Sequence, residues 1–413
     1  MLKFIININH YNVLGGYLIV VGLITLISGL YMEKLVGYIV LLPLILSLLP
    51  MCVEFWSFRL PKAKIEKCLL PFILFVAWVL LSAIVKNTYG TEEFDNLLYY
   101  FLLTSCLPFL SGLITSRNIK FISNNMLIMI FILFSIMGAY QVIKNFEMIF
   151  YGRFRVSASA SDLGANDFGS ALGAYLFIVY ENIRNLNTNG AYKYIIFIPL
   201  LAVAVVLIFL SGSMGNMISL ILTLIIYISL RNKYNMPKAI MLILICLILS
   251  YFFSVIFMNV SNKIFSIFYN IETFGTENIF KYFTRIDSMR QGDIASIGGE
   301  RIYYSNVFLQ QFCDSPIFGS GFGSRLGLRN DPHNFVIELM GETGFVSLII
   351  FLILTIFTLN SALNIIKNSR SLHAERFVAV FFIIAAISSL FSGSVYNNWY
   401  LWYLIGVLPI RNA

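Results

Sequence analysis

Charged side chains are scarce in this chain of 413 residues, where they make up 12% of the total. Because a soluble domain carries about 25% charged residues, the composition argues against a soluble globular protein. Histidine and cysteine are also few, with three and five residues respectively, and they are scattered along the chain. This scarcity argues against a structural metal site or a disulfide framework.

Apolar residues take the place of the missing charges. They make up 59% of the chain, and the mean hydropathy is +0.84. Apolar runs of about 18 residues or more, the length that crosses a bilayer as a helix, recur from end to end. The sequence therefore predicts an all-α polytopic membrane protein, integral to the membrane. The net charge of +8 is explained by membrane topology, so we expect no nucleic-acid partner.

Twelve membrane-spanning helices are predicted from these runs. The first run is followed by no small-residue cleavage site, so we interpret it as a retained helix rather than a signal peptide. The predicted spans are 11–31, 35–53, 69–86, 96–115, 121–143, 163–180, 194–210, 214–230, 239–258, 334–363, 377–392 and 396–410.

The distribution of basic residues predicts the orientation of these spans. With the N-terminus inside, every inside segment carries Lys or Arg, which agrees with the positive-inside rule and places both termini in the cytoplasm. The long segment 259–333 is then outside, with equal numbers of basic and acidic residues, and we expect an amphipathic helix near 301–313. The chain thus divides into nine spans (1–258), one large outside loop (259–333) and three further spans (334–413).

Candidate functional residues gather where the large loop meets the tenth predicted span. Asp331 suits the N-cap position of that helix and Pro332 suits its first turn. His333 and Asn334 would follow in the first turn, where the helix N-terminus favours bound anions and a neutral imidazole that can act as a base. The alternative is that these residues only cap the helix and bind the loop.

Two glutamates follow on the same predicted helix. Glu338 and Glu342 are four residues apart and therefore share one helix face. Ionisable groups within the membrane are costly and commonly functional. The alternative is that either glutamate forms an ion pair with a structural arginine. A continuous helix over 334–363 would be about 45 Å long, so we expect its first turns to stand in the outer interface.

Arginines in the two charged outside loops are candidates for binding phosphate. Arg153 and Arg155 lie in the loop near 144–162, and Arg301 lies in the large loop. A guanidinium binds phosphate through two parallel hydrogen bonds, but outside arginines also anchor proteins to lipid headgroups. The glycines between Pro316 and Gly323 are not followed by Lys-Ser/Thr, so they predict a tight turn rather than a nucleotide site.

These residues together resemble a family of bacterial membrane glycosyltransferases, the O-antigen polymerase and O-antigen ligase superfamily. The resemblance is clearest in Arg301, Pro316-Ile317-Phe318-Gly319-x-Gly321, His333-Asn334 and Glu342-x-Gly344, in that order and spacing. Weaker similarities are Arg153 and Arg155 with Asn166, and Leu210-Ser211-Gly212-Ser213. Family members often have arginine after the serine that matches Ser213, and this chain has Met214.

The resemblance implies a GT-C-like fold in the bacterial inner membrane with a periplasmic active site. The glycan donor would be carried on undecaprenyl diphosphate, and no metal or other cofactor would be required. His333 and Arg301 would be catalytic, while Arg153, Arg155, Asn166, Asn334, Glu338 and Glu342 would bind substrate. Partners would be the lipid-linked donor and acceptor and a chain-length regulator (a polysaccharide co-polymerase).

The activity expected first is an O-antigen polymerase. It would transfer glycan to the terminal sugar hydroxyl of another lipid-linked repeat unit, with inversion at the anomeric carbon. The alternative is an O-antigen ligase, whose acceptor is lipid A-core. A lipid-linked oligosaccharide flippase is the third hypothesis; transporters commonly contain internal repeats and sites at mid-membrane, and neither is evident in this sequence.

Overall fold

The computed structural model describes part of the chain. The described residues are 65–119, 124, 127–128, 131–132, 135–136, 169–170, 172–177, 179, 202, 204, 207–208, 214–231, 294–324, 332, 334–368, 371–394 and 398–408. The predicted spans 11–31, 35–53 and 239–258 lie outside these residues. The described part of the chain is all helical, which agrees with the predicted fold class.

Eight α-helices are described, and we number them in chain order. Their bounds are Leu70–Val85 (α1), Glu92–Phe101 (α2), Leu107–Asn118 (α3), Met214–Arg231 (α4), Ile294–Asp314 (α5), Phe335–Lys367 (α6), His373–Ser392 (α7) and Trp399–Val407 (α8). A π-helical turn, Ile65–Leu69, leads into α1, and another, Leu102–Cys106, joins α2 to α3. The predicted helix near 301–313 corresponds to α5.

Three helical segments in the described part of the chain are long and apolar enough to cross a membrane. They are Lys67–Val85, Phe335–Lys367 and His373–Phe391. They correspond to predicted spans 69–86, 334–363 and 377–392. The chain is therefore a membrane protein, and the total of twelve spans stays a prediction.

The chain forms two compact units. The first consists of Met1–Leu127 with Glu300–Ala413, and the second of Ile128–Gly299. In the second unit, α4 carries a buried polar face: Ser170 donates a hydrogen bond to Asn216 Oδ1 at 2.9 Å. Hydrogen bonds of this kind help to hold helices together in lipid, because the hydrophobic effect does not drive helices to associate there.

The core of the first unit is built around Trp402 on α8, which is fully buried. Its ring lies 5.1 Å from that of Phe75 on α1, and 6.1 and 5.8 Å from those of Phe335 and Phe351 on α6. Edge-on and tilted aromatic contacts at these distances are favourable. One side chain therefore holds α1, α6 and α8 together.

Helix α6 is broken at Gly344, contrary to the predicted continuous helix over 334–363. Gly344 has φ 77° and ψ −171°, a conformation that side chains with a Cβ rarely adopt. A straight helix would place Phe335 about 24 Å from Phe351, yet their ring centroids are 4.5 Å apart. Residues 335–343 (the short arm) therefore turn back beside residues 345–367 (the long arm), which alone is about 34 Å long.

Candidate functional site

The short arm begins at Phe335, and Asn334 is its N-cap. Asn334 Oδ1 accepts hydrogen bonds from the backbone N–H groups of Val336 (3.0 Å) and Ile337 (3.1 Å). An N-cap side chain satisfies N–H groups that have no partner within the helix. The expectation that Asp331 is the N-cap is therefore wrong, and the helix begins three residues later.

The same asparagine also binds α7. Its Nδ2 donates to Leu390 O at 2.9 Å. Asn334 was predicted to bind substrate; in this structure both ends of its amide are engaged within the protein. Its position fixes the backbone directly after His333, which itself lies outside the described residues.

Glu338 and Glu342 both lie on the short arm and both are buried, at 0% and 1% exposure. Ser394, just beyond the end of α7, donates its hydroxyl to Glu338 Oε1 at 2.9 Å. Burying a carboxylate is costly unless hydrogen bonds compensate for its lost hydration. The structure thus places two enclosed carboxyl groups one helical turn apart on the short arm, five and nine residues after the predicted base in the sequence.

The break that creates the short arm is closed by residues 315–324 (the glycine loop). The backbone N–H of Ser320 donates to Gly341 O, and that of Gly321 donates to Glu342 O, both at 2.8 Å. In return, the N–H of Phe345 donates to Pro316 O at 2.8 Å. Unsatisfied backbone groups cost several kcal/mol each in a membrane, so the loop supplies the hydrogen bonds that the break removes.

Trp78 on α1 completes this arrangement. Its indole N–H donates to Thr343 O at 3.0 Å, and its ring stacks on Phe318 of the glycine loop with centroids 4.9 Å apart. The Phe322 backbone N–H is also bound, to Ser82 Oγ at 3.2 Å. The loop N–H groups at 319, 320 and 321 all donate to carbonyls, so a structural turn is favoured here over a phosphate cradle.

Close contact is required between the glycine loop and the short arm. A Cβ atom on Gly319, which has φ 63°, would lie 2.5 Å from Gly341 O and from the carbonyl carbon of Glu342. The motif Pro316–Gly321 and the motif Glu342-x-Gly344, which the sequence showed separately, are therefore two sides of one contact.

Helix α5, which carries Arg301, packs against the short arm. Phe308 of α5 is buried against the short arm, and a Cβ on Gly341 would lie 2.7 Å from Phe308 Cδ1. Position 301 lies two helical turns before Phe308 and thus on the same face of α5. The side chain of Arg301 is not among those described. Arg153, Arg155 and Asn166 lie outside the described residues.

Sequence reasoning missed Ser394 and Trp78. Ser394 follows Leu390 and Gly393 at the end of an apolar span, and Trp78 lies within another span, so neither carries a local signal of its role. Their partners are 56 and 265 positions away. Among the side chains that the structure describes, no group of three or more His, Cys, Asp or Glu residues is arranged to hold a metal ion.

Helical segments able to cross a membrane, with enclosed carboxyl groups at one helix break, define a polytopic membrane protein with a polar site. Residues 199–352 match a family model, Wzy_C, described as O-antigen ligase. The matched range includes α5, the glycine loop, both glutamates and the break at Gly344. This match confirms the resemblance to the O-antigen ligase and polymerase superfamily. No curated protein matches the chain.

Proposed function

We propose that this protein is a surface-polysaccharide polymerase of the O-antigen type. It transfers glycan from undecaprenyl diphosphate to the terminal sugar hydroxyl of another lipid-linked repeat unit. The observation that carries the proposal is the pair of buried glutamates on the short arm, directly after His333-Asn334 and within the range that matches the family model.

The proposed reaction is a single displacement at the anomeric carbon of the donor. The bond between that carbon and the diphosphate oxygen breaks, and the acceptor oxygen forms the new glycosidic bond from the opposite face, which inverts the configuration. The acceptor's proton passes to His333 as general base. Arg301, with Arg153 or Arg155, stabilises the negative charge on the leaving undecaprenyl diphosphate. Asn166, Asn334, Glu338 and Glu342 support substrate binding, and no cofactor takes part.

The geometry supports a site on the periplasmic side of the inner membrane. The predicted topology, with both termini in the cytoplasm, assigns Lys86, Asn334 and Leu390 to the outside. In the structure, each contact joins positions that this topology places outside. Asn334 binds Leu390 near the end of α7. Gly321 of the glycine loop lies against Lys86 at the end of α1, and its N–H donates to Glu342 O beside the break. We propose the twelve-span layout, with 259–333 as the large periplasmic loop, on this basis.

The second candidate function is an O-antigen ligase. The family model is described by that activity, and the same residues serve either reaction, because only the acceptor differs. The transporter hypothesis receives no support from the family match, and we do not propose it.

A deletion strain examined by lipopolysaccharide gel separates the two candidates. A polymerase deletion leaves lipid A-core with a single repeat unit. A ligase deletion leaves lipid A-core without repeat units, while polymer accumulates on the carrier lipid. If the gel is unchanged and another surface glycan is lost, the protein acts in the synthesis of that other glycan.

The roles of Arg301 and His333 are tested by complementing the deletion strain. We expect Arg301→Ala and His333→Ala each to abolish the ladder while the protein remains in the membrane at wild-type level, because one loses the leaving-group charge and the other the base. Immunoblots of membranes provide the control. A wild-type ladder from either variant would contradict the role of that residue.

A further inference from the structure

The end of α7 contacts the short arm at two matched points. Asn334 Nδ2 donates to Leu390 O, and Ser394 Oγ donates to Glu338 Oε1, each at 2.9 Å. The two contacts are four residues apart on both sides, so the short arm and the end of α7 run side by side in the same direction. The second contact ends on one of the two buried carboxyl groups.

Ser394 differs from most hydroxyl side chains in the described helices. Ser82, Ser347 and Thr358 donate to carbonyls three or four residues earlier on their own helices. A hydrogen bond to a carbonyl of the preceding turn is common for serine and threonine in membrane helices. Ser389, on α7 itself, does the same, with Ala386 O at 2.8 Å. Ser394 instead donates to a carboxylate on another segment.

The local backbone explains this difference. Helix α7 ends at Ser392, and Gly393 is extended, with φ −118° and ψ 151°. A Cβ atom on Gly393 would lie 2.6 Å from Ser389 O, so glycine allows the chain to leave the helix close to its last turn. Ser394 is buried at 6% exposure, and leaving the helix takes its hydroxyl away from the helix carbonyls and toward Glu338.

We propose that Ser394 is a positioning residue for Glu338 in the transfer reaction, an inference that rests on the proposed function. A glutamate side chain has several rotatable bonds, and a hydrogen bond from a fixed hydroxyl selects one arrangement of its carboxyl group. Held this way, Glu338 meets the acceptor sugar in one orientation, beside the backbone that carries His333. Ser394 lies beyond the residues that match the family model. The proposed role is therefore inferred from its hydrogen bond to Glu338 and not from the family match.

The test compares Ser394→Ala with matched variants in the full-length protein reconstituted in liposomes, with undecaprenyl-diphosphate-linked glycan as the probe. A misplacement of about 1 Å in the groups that orient a substrate can lower the rate by about 100-fold. We expect Ser394→Ala to lower kcat by about that factor with little change in KM. Ser394→Thr keeps a hydroxyl and restores most of the activity. Ser389→Ala, an equally conservative change that leaves Glu338 untouched, keeps wild-type kcat.

A double-variant comparison shows whether the effect passes through Glu338. Residues that act through one contact are not additive, so Ser394→Ala combined with Glu338→Gln should be no slower than Glu338→Gln alone. Additive losses, failure of threonine to restore activity, or Ser394→Ala with wild-type kcat would each overturn the positioning role while leaving the proposed function intact. If the wild-type protein transfers no glycan to either class of acceptor, the proposed function falls, and the positioning role falls with it.

Discussion

At the scale of single residues, the site is a set of polar groups that form hydrogen bonds with residues far away in the sequence. Spacing alone predicted that Glu338 and Glu342 share a helix face, because residues four apart always do in a helix. Spacing did not predict that Asn334 is the N-cap, since Asp331 also suits that position. In the structure Asn334 takes the N-cap position, and its amide also binds the carbonyl of Leu390, 56 residues later in the chain.

Asn334 provides a prediction about stability. Asn334→Ser keeps a good N-cap oxygen, whereas Asn334→Ala removes it, and loss of a cap costs about 1 kcal/mol. We expect the alanine variant to unfold at a lower temperature than the serine variant, measured on purified protein in one detergent. Because both variants lose the bond to Leu390, the difference between them isolates the cap. Equal unfolding temperatures would contradict the N-cap assignment.

At the scale of elements, the break in α6 determines where the site lies. The apolar pattern predicted one long helix because isolated glycines inside such a pattern, here Gly341 and Gly344, are commonly tolerated. The break also needs hydrogen-bond donors for the carbonyls it exposes, and these come from Ser320, Gly321 and Trp78. Their arrival at one point depends on tertiary structure. The break turns the first turns of the helix back beside the long arm, and the expected straight extension into the outer interface is absent.

The break gives a prediction with a closely matched control. Gly344 and Gly90 have nearly the same φ, 77° and 78°, but a Cβ on Gly344 would collide with Ile317 O whereas one on Gly90 meets nothing within 4 Å. A residue with a Cβ held at an unfavourable positive φ costs about 1–3 kcal/mol, and the conformation of Gly344, with ψ −171°, is one that glycine almost alone adopts. We expect Gly90→Ala to lose only that stability and keep activity, and Gly344→Ala to lose the polysaccharide ladder.

The measurements for this pair are the unfolding temperature of each purified variant and the ladder in a complemented deletion strain. If the two alanine variants had the same unfolding temperature and the same ladder, the claim that activity requires the contact between the glycine loop and the break would be contradicted. Membrane levels of both proteins, compared by immunoblot, show whether a lost ladder reflects lost protein.

At the scale of the whole molecule, the composition was enough to predict an all-helical membrane protein, and the motifs were enough to predict the similarity to the superfamily whose model matches residues 199–352. Helix positions were predicted well where an apolar run stands alone, as for α7. They were predicted less well where the run contains an interruption, as in 96–115, which the π-helical turn Leu102–Cys106 divides. The contacts that assemble the site join α1, α5, α6 and α7, and no local pattern encodes them.

Sidedness is tested by a cysteine that the chain already has. Cys313, near the end of α5, is exposed, whereas Cys68 is buried. The proposed topology places Cys313 in the periplasm, so a membrane-impermeant maleimide should label it in intact spheroplasts. Cys313→Ser should remove that labelling. Labelling of Cys313 only after lysis would reverse the proposed orientation.

Glycosyl transfer from a polyprenyl diphosphate is the central claim, and a reconstituted reaction tests it most directly. The purified protein in liposomes is supplied only with repeat units linked to undecaprenyl diphosphate, and the products are analysed by mass spectrometry. We predict carrier lipids that bear two or more repeat units, together with an equivalent amount of released undecaprenyl diphosphate and an inverted linkage. Unchanged single units in this reaction, and again after lipid A-core is added, would contradict the account.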